Sequence, residues 1–169
     1  MPQYLIDGRG LDSARAGLLL SSQSIVMAII APLSGTLSDR LGTRWPSVVG
    51  MGVLALGAAL LSGLTATSAV TWIILSLVTV GLGTGIFISP NNSALMGAAP
   101  RQRQGIAAGT LATARSFGMV LGAGLSGAIF TTVLAQTPEG GLFTGIRISF
   151  LAAAGVAALG IFTSAVRGQ

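Results

Sequence analysis

Five long apolar runs, separated by short polar segments, dominate the hydrophobic pattern of this chain. They cover about 13–37, 46–64, 70–90, 105–134 and 146–166. A hydrocarbon core of roughly 30 Å is crossed by about 20 helical residues, and every run is near or above that length. The pattern therefore predicts an all-α fold, a polytopic transmembrane bundle with about five spans over residues 13–169.

Residues 1–12 precede the first run and form a short flank that is too short to span a bilayer. Asp12 or Ser13 is a candidate N-cap for the helix that follows. No basic segment leads into a short apolar one near the start, so we expect no cleaved signal peptide, and the first full span would act as its own insertion signal.

Composition supports a membrane protein and narrows the possible chemistry. Hydrophobic residues make up 51% of the chain and charged residues only 8%, and the mean hydropathy is +0.82. Cysteine and histidine are absent, which excludes thiol catalysis, histidine acid–base chemistry and Cys/His metal sites. We expect no enzyme activity, no metal and no cofactor. The net charge of +5 lies largely in short loops, so we expect a lipid bilayer as partner rather than nucleic acid.

The arginines predict an orientation in the cell (plasma or inner) membrane. With five alternating spans, one face holds five arginines and one acid, and the other holds three arginines and three acids. The first set is Arg40, Arg44, Arg101, Arg103 and Arg167 with Asp39, and the second is Arg9, Arg15 and Arg147 with Asp7, Asp12 and Glu139. The face richer in arginine is expected in the cytoplasm, which places the N-terminus outside and the C-terminus inside.

The polar stretch 35–45 joins the first two runs and is predicted to be a short loop. Gly35 and Gly42 permit a tight reversal, and Asp39, Arg40 and Arg44 supply fixed charges. A charged hairpin that only sets topology explains these residues, and a functional loop explains them equally well.

Polar and small residues inside the apolar runs mark surfaces that avoid lipid. Gln23 and its neighbouring serines suit either interhelical hydrogen bonds or a substrate cavity, and Asn91 and Asn92 are further cavity candidates. The glycines of 81–85 have no strand–turn–helix context for a dinucleotide. They predict close helix packing or a bendable segment instead.

Arg115 is the most informative single residue, because it stands ten residues into the fourth run and so near mid-membrane. A charge there costs about 2.5–3.5 kcal/mol on insertion scales. It either lines a transport pathway or a central interface, or it is satisfied by backbone carbonyls and nearby hydroxyls. We expect it to face protein rather than lipid.

The motif G-x-L-S-D-R-x-G-x-R at 35–44 resembles the loop motif of the major facilitator superfamily. The segments GLGTGIFISPNN at 81–92 and RQRQGIAAGTLATARSFGMVLG at 101–122 resemble the C-terminal half of its drug:proton antiporter branch with fourteen spans. The resemblance covers nearly the whole chain. It implies part of the C-terminal six-helix half, with residues 1–12 as the stub of a preceding helix and the N-terminal half as the missing partner.

The resemblance also implies a function and residue roles. It implies export of small amphipathic drugs or metabolites by alternating access, driven by protons, with Asp39 in a gating loop that stabilises the outward-facing state. Arg115 matches an arginine of the family pattern. In the family the loop motif occurs once in each half of the transporter, and Thr43 and Trp45 stand here where the first-half copy has basic residues. The alternative is a non-transporting membrane subunit or an inactive fragment. Because no acidic residue lies inside a run, we expect no coupled transport by this chain alone.

Overall fold

The computed structural model describes residues 1–136 and 141–166, and in these ranges the regular structure is helical. The five α-helices are α1 (Ser13–Leu41), α2 (Arg44–Ser62), α3 (Val70–Gly97), α4 (Gln104–Gln136) and α5 (Gly141–Val166). A π-helical turn at Tyr4–Gly8 precedes α1, and a 3-10 turn at Arg101–Arg103 leads into α4. Five described helices are long and apolar enough to cross a membrane. The all-α prediction is confirmed. Residues 137–140, which include Glu139, and residues 167–169, which include Arg167, lie outside the described residues.

The predicted loop at 35–45 is wrong in its extent. Gly35, Asp39 and Arg40 belong to the last two turns of α1, and Arg44 opens α2, so only residues 42–43 lie between the two helices. Gly42 has a φ of +80°, which a residue without a Cβ adopts at little cost. Polar side chains do not end a helix that still has its backbone hydrogen bonds, so α1 extends beyond the apolar run.

Other helix ends also extend past the apolar runs, since hydropathy detects the lipid-crossing portion and not the helix itself. α3 continues through Pro90 to Gly97, seven residues beyond the predicted span, and α5 begins five residues before it. The predicted cap is confirmed, since the carboxylate of Asp12 accepts a bond from Ala14 N at 3.3 Å. Pro46 lies in the first turn of α2, where the missing N–H of proline leaves no helical bond unmade.

Glycines place α3 tightly between α1 and α2, as the sequence predicts for residues 81–85. A Cβ added to Gly81 would lie 2.5 Å from the carbonyl oxygen of Gln23 on α1. A Cβ on Gly83 would overlap the backbone nitrogen of Leu54 on α2, and Gly85 again faces α1. Alternate small residues therefore bring two helix backbones against opposite sides of α3.

The remaining helices extend this packing in one direction. α2 packs against α5 on the side away from α1, and α4 packs chiefly against α5. The neighbours therefore follow the order α1, α3, α2, α5, α4. No residue of α4 is buried, so α4 forms the edge of the bundle.

The N-terminal turn closes one end of the bundle. Tyr4 is fully buried, and its hydroxyl donates to the carbonyl oxygen of Thr65 at 2.7 Å. The Arg9 guanidinium donates to the carbonyl oxygens of Ala66 at 2.8 Å and Ser68 at 2.6 Å. These bonds fasten residues 1–12, predicted as a simple flank, onto the connection between α2 and α3.

Candidate functional site

Arg115 lies on α4 and is exposed within this chain. It makes no hydrogen bond with the described residues, so the alternative of an arginine satisfied by neighbouring hydroxyls and carbonyls of this chain finds no support. That Arg115 faces protein rather than lipid stays a prediction, because its side chain is exposed within the described part of the chain. A guanidinium has five donors and stays charged, so its partners must come from water or from groups beyond these residues.

The helical register relates Arg115 to a cavity further along α4. Gly122, Ser126 and Ile129 follow it by seven, eleven and fourteen residues, which at 3.6 residues per turn places all four on one face. Those three residues line the cavity. The rise of 1.5 Å per residue separates Arg115 from the cavity edge by about 10 Å along the helix. One face of α4 thus carries both the intramembrane charge and a concave apolar site.

The cavity has a volume of about 500 Å³ and lies between α2, α4, α5 and the first residues of the chain. Its walls include Leu54 of α2, Phe130 of α4 and Phe150 of α5, with Gln3 among the lining residues at the N-terminal end. The volume falls in the range of drug-sized ligand sites, which are mostly apolar with a few polar groups.

Ser149 is the notable polar group in this cavity. Its hydroxyl oxygen is buried and makes no hydrogen bond with the described protein atoms. Buried hydroxyls are usually paired, so this oxygen is available to a molecule or helix that occupies the cavity. The sequence gives no signal that singles out Ser149. A serine in an apolar run usually bonds to its own helix, and Ser149 looks no different in sequence from Ser126.

The predicted gating residues gather at the end of the bundle where α1 meets α2. Asp39, Arg40, Gly42 and Arg44 are exposed there, and Gly35 packs against Ser89 of α3. The structure brings these residues to one end, about 35–45 Å along α1 from Asp12 at its other end. Their gating role stays a prediction.

A small pocket next to this end is lined by one of the predicted gating residues and one of the predicted cavity residues. Asn91 of α3 and Arg44 of α2 both line it, with Ser164 of α5, in a volume of about 80 Å³. This volume suits ordered water and not a drug-sized ligand. Asn92 is half-buried one residue further along α3.

Gln23 does not join the other cavity candidates. It lies on α1, half-buried, where its backbone carbonyl faces Gly81. The structure therefore separates Gln23, the Asn91–Asn92 pair and the Arg115 face into three places within this chain.

A hydrogen bond between α1 and α3 was not predicted from the sequence. The Ser34 hydroxyl donates to the carbonyl oxygen of Ile86 at 2.7 Å. Ile86 is four residues before Pro90, whose ring nitrogen has no proton to offer that carbonyl. The pairing of a proline with a serine on another helix could be found only once the register of α1 against α3 was known.

Comparison with known proteins gives a family match. The profile of the Major Facilitator Superfamily matches residues 1–167. Over 167 residues the chain is 34% identical to the uncharacterized transporter YebQ of Escherichia coli (strain K12), which covers 99% of this chain and 35% of that protein.

Two further relatives have names that state a substrate or a resistance. The riboflavin transporter RibZ of Clostridioides difficile (strain 630) is 33% identical over 137 residues, 81% of this chain and 29% of that protein. The quinolone resistance protein NorB of Staphylococcus aureus (strain JH9) is 31% identical over 155 residues, 90% of this chain and 33% of that protein. The chain thus spans about a third of the length of the curated relatives it matches.

Proposed function

We propose a transport function for this chain, which belongs to the Major Facilitator Superfamily and is a multi-pass membrane protein. In this proposal it forms the C-terminal portion of an exporter of the drug:proton antiporter branch with fourteen spans. The exporter works by alternating access around a site near the middle of the membrane. The relatives' names support small amphipathic compounds as the substrate class, since one names riboflavin and another quinolone resistance.

The observation that carries the proposal is the Arg115 face of α4. A charge near mid-membrane faces lipid only at a large cost, so such residues usually face protein or a water-filled path. In this chain the same face of α4 continues into the 500 Å³ cavity. We propose that the N-terminal half of the same transporter covers this face, and that Arg115 lines the substrate path or the interface between the halves.

Proton coupling needs a titratable group, and the described part of this chain supplies no carboxylate within the apolar stretches of its helices. Asp12 caps the start of α1, Asp39 lies in the last turn of the same helix, and Asp7 lies in the N-terminal turn. Arginine does not release its proton near working pH. In the proposed exporter the coupling carboxylate therefore comes from the rest of the protein, and the 169-residue chain alone carries out no coupled transport.

The test of the proposed role of Arg115 uses the full-length transporter in proteoliposomes with a pH gradient. Arg115→Leu is expected to insert as well as the parent and to reduce substrate-dependent proton flux at least tenfold, because the path loses its fixed charge. Arg115→Lys should retain part of the flux, and Arg103→Leu, outside the span, should retain it all. Full transport by Arg115→Leu would refute the pathway role.

The missing-half proposal is tested separately. The 169-residue chain is reconstituted alone and together with the remainder of the transporter made as a second polypeptide. We expect proton flux in response to cationic amphiphiles only from the pair. Flux from the chain alone, abolished by Arg115→Leu, would show that it is a transporter in its own right.

Orientation is proposed from the arginine distribution, with the N-terminus outside and the α1–α2 and α3–α4 connections in the cytoplasm. The chain has no cysteine, so single introduced thiols report without background. In intact cells an impermeant maleimide should label Thr67→Cys and leave Gln102→Cys unlabelled until the membrane is opened. The reverse pattern would invert the proposed topology.

The proposed gating role of the α1–α2 end concerns Asp39. In the full-length transporter Asp39→Asn should change the balance of inward- and outward-facing states more than substrate affinity, since the residue lies at a helix end and far from mid-membrane. Thiol accessibility from each side measures that balance. An altered substrate Kd with unchanged accessibility would contradict the role.

A further inference from the structure

A second concave site lies on the outside of the bundle, where α1 and α2 diverge over α3. It is a groove of about 340 Å³, lined on the α1 side by Leu33, Leu37 and Leu41 and on the α2 side by Trp45 and Val49. These five side chains are each about half to two-thirds exposed. The groove is separate from the Arg115 face, which belongs to α4 at the opposite edge of the bundle.

The groove is apolar along its length. Ser34 contributes its one lining hydroxyl, and that hydroxyl is already bonded to the carbonyl oxygen of Ile86. Besides Ser34, the one polar side-chain group in the lining is the indole N–H of Trp45. An occupant must therefore bring mainly apolar surface, and a charged part of it must find its partners outside the groove.

Positive charge stands at one end of the groove. Arg40 follows Leu33 by seven residues, which places both on the same face of α1. The Arg44 guanidinium carbon lies 6.0 Å from the centre of the Trp45 ring, over one wall of the groove. Asp39, the nearest acid in sequence, is two residues from both Leu37 and Leu41 and so lies on the opposite side of α1.

We propose that this groove binds one anionic phospholipid, with an acyl chain along the leucine-lined wall and the headgroup phosphate between Arg40 and Arg44. Three features favour this occupant: an open apolar channel on a membrane protein, two arginines at one end, and a tryptophan in contact with one of them. Tryptophan favours the level of the lipid headgroups, and guanidinium pairs with phosphate in a bidentate manner.

The inference goes beyond transport and does not require it, because lipid binding can be measured on a protein that moves no substrate. It also does not depend on which face of the membrane is cytoplasmic. The leaflet in question is the one that meets the α1–α2 connection.

The test uses the two tryptophans of the chain. In the Trp72→Phe background Trp45 is the only indole, and its fluorescence is quenched by a bromine atom on a nearby acyl chain. Purified protein is placed in zwitterionic nanodiscs with a small fraction of brominated phosphatidylglycerol or, in parallel, brominated phosphatidylcholine. We expect the anionic lipid to quench Trp45 at several-fold lower mole fraction than the zwitterionic lipid.

Matched variants assign that preference to the two arginines. Arg40→Gln with Arg44→Gln should remove most of it, at about fivefold per arginine. Arg101→Gln with Arg103→Gln, at the same end of the bundle, should leave it unchanged. Trp72, studied alone in the Trp45→Phe background, should show no preference between the two lipids.

Three outcomes would overturn the proposal. Equal quenching of Trp45 by both lipids would identify ordinary annular lipid. A preference that survives loss of Arg40 and Arg44 would assign the headgroup site elsewhere. Protection of Trp45 from every brominated lipid in the full-length transporter would show that protein, from the other half or a second copy, fills the groove.

Discussion

Helices α3 and α4 are both long, apolar and rich in glycine, yet the structure uses their glycines in different ways. In α3 the three glycines at 81–85 each lie against a neighbouring helix, and a Cβ on any of them would meet α1 or α2 at 3.0 Å or less. In α4 the glycines have open space around them. They are Gly105, Gly109, Gly118, Gly122, Gly124 and Gly127, and no atom lies within 4 Å of a Cβ added at any of the six.

The difference shows what a glycine contributes to a transmembrane helix. Inside a helix glycine costs roughly 0.5–1 kcal/mol relative to alanine, because it loses more backbone freedom. On α3 close backbone packing offsets that cost. The α4 glycines have no such packing among the described residues, which agrees with the proposal that a partner of α4 lies in another part of the transporter.

The largest effect should come from adding one methyl group to α3. Gly83→Ala places a Cβ on the backbone of Leu54, so α2 and α3 must separate, and we expect the free energy of unfolding to fall by about 1–3 kcal/mol. Denaturant titration of the 169-residue chain in detergent micelles measures it. An unchanged midpoint would show that the α2–α3 contact is looser than the structure indicates.

A middle-sized effect is expected at the Ser34–Ile86 bond. Ser34→Ala should lower the free energy of unfolding by about 0.6–1.7 kcal/mol, because Pro90 leaves the Ile86 carbonyl without another donor. The control is Ser22→Ala, because the Ser22 hydroxyl bonds within α1 and not to another helix.

A double-mutant cycle isolates the role of the proline in that bond. In a Pro90→Ala background residue 90 regains an amide proton for the Ile86 carbonyl, so Ser34→Ala should cost less than in the parent. Equal costs in the two backgrounds would refute the link between Ser34 and Pro90.

The smallest effect should have the opposite sign and lie on α4. Gly109→Ala in the 169-residue chain is expected to raise the free energy of unfolding by up to about 1 kcal/mol, because it improves helix propensity and meets no neighbour. In the full-length transporter the same change should be neutral or destabilising if another helix packs there. A gain of equal size in both proteins would show that this part of α4 faces lipid.

Much of the fold could be predicted from hydropathy and local capping chemistry. Five spans, the Asp12 cap and the helical packing of Gly81 and Gly83 follow from run length, an acceptor side chain at a helix start, and small residues at spacing that suits close contact. The extent of α1 was missed because Asp39 and Arg40 are polar and the helix there leaves the apolar run. Hydropathy reports where lipid is, and not where backbone hydrogen bonds stop.

The candidate site was only partly accessible from sequence. Arg115 is conspicuous because a charge in an apolar run is rare. That Arg115 lies on the same face of α4 as the cavity could not be predicted, because the cavity's position depends on which side of α4 packs against α5. Ser149, Ser34 and the groove beside Trp45 carry no such signal, since hydroxyls and leucines are common in membrane helices and gain meaning only from what lies across the interface.

The order of residues establishes that this chain crosses a membrane as helices and where its charges can lie, because the bilayer penalises each polar group according to its position along the chain. Which helices lie inside the bundle and which at its edge depends on the three-dimensional packing. Within lipid, apolar surface no longer distinguishes the two, and α3 lies between α1 and α2 through backbone-to-backbone fit at Gly81 and Gly83 that depends on partners distant in sequence.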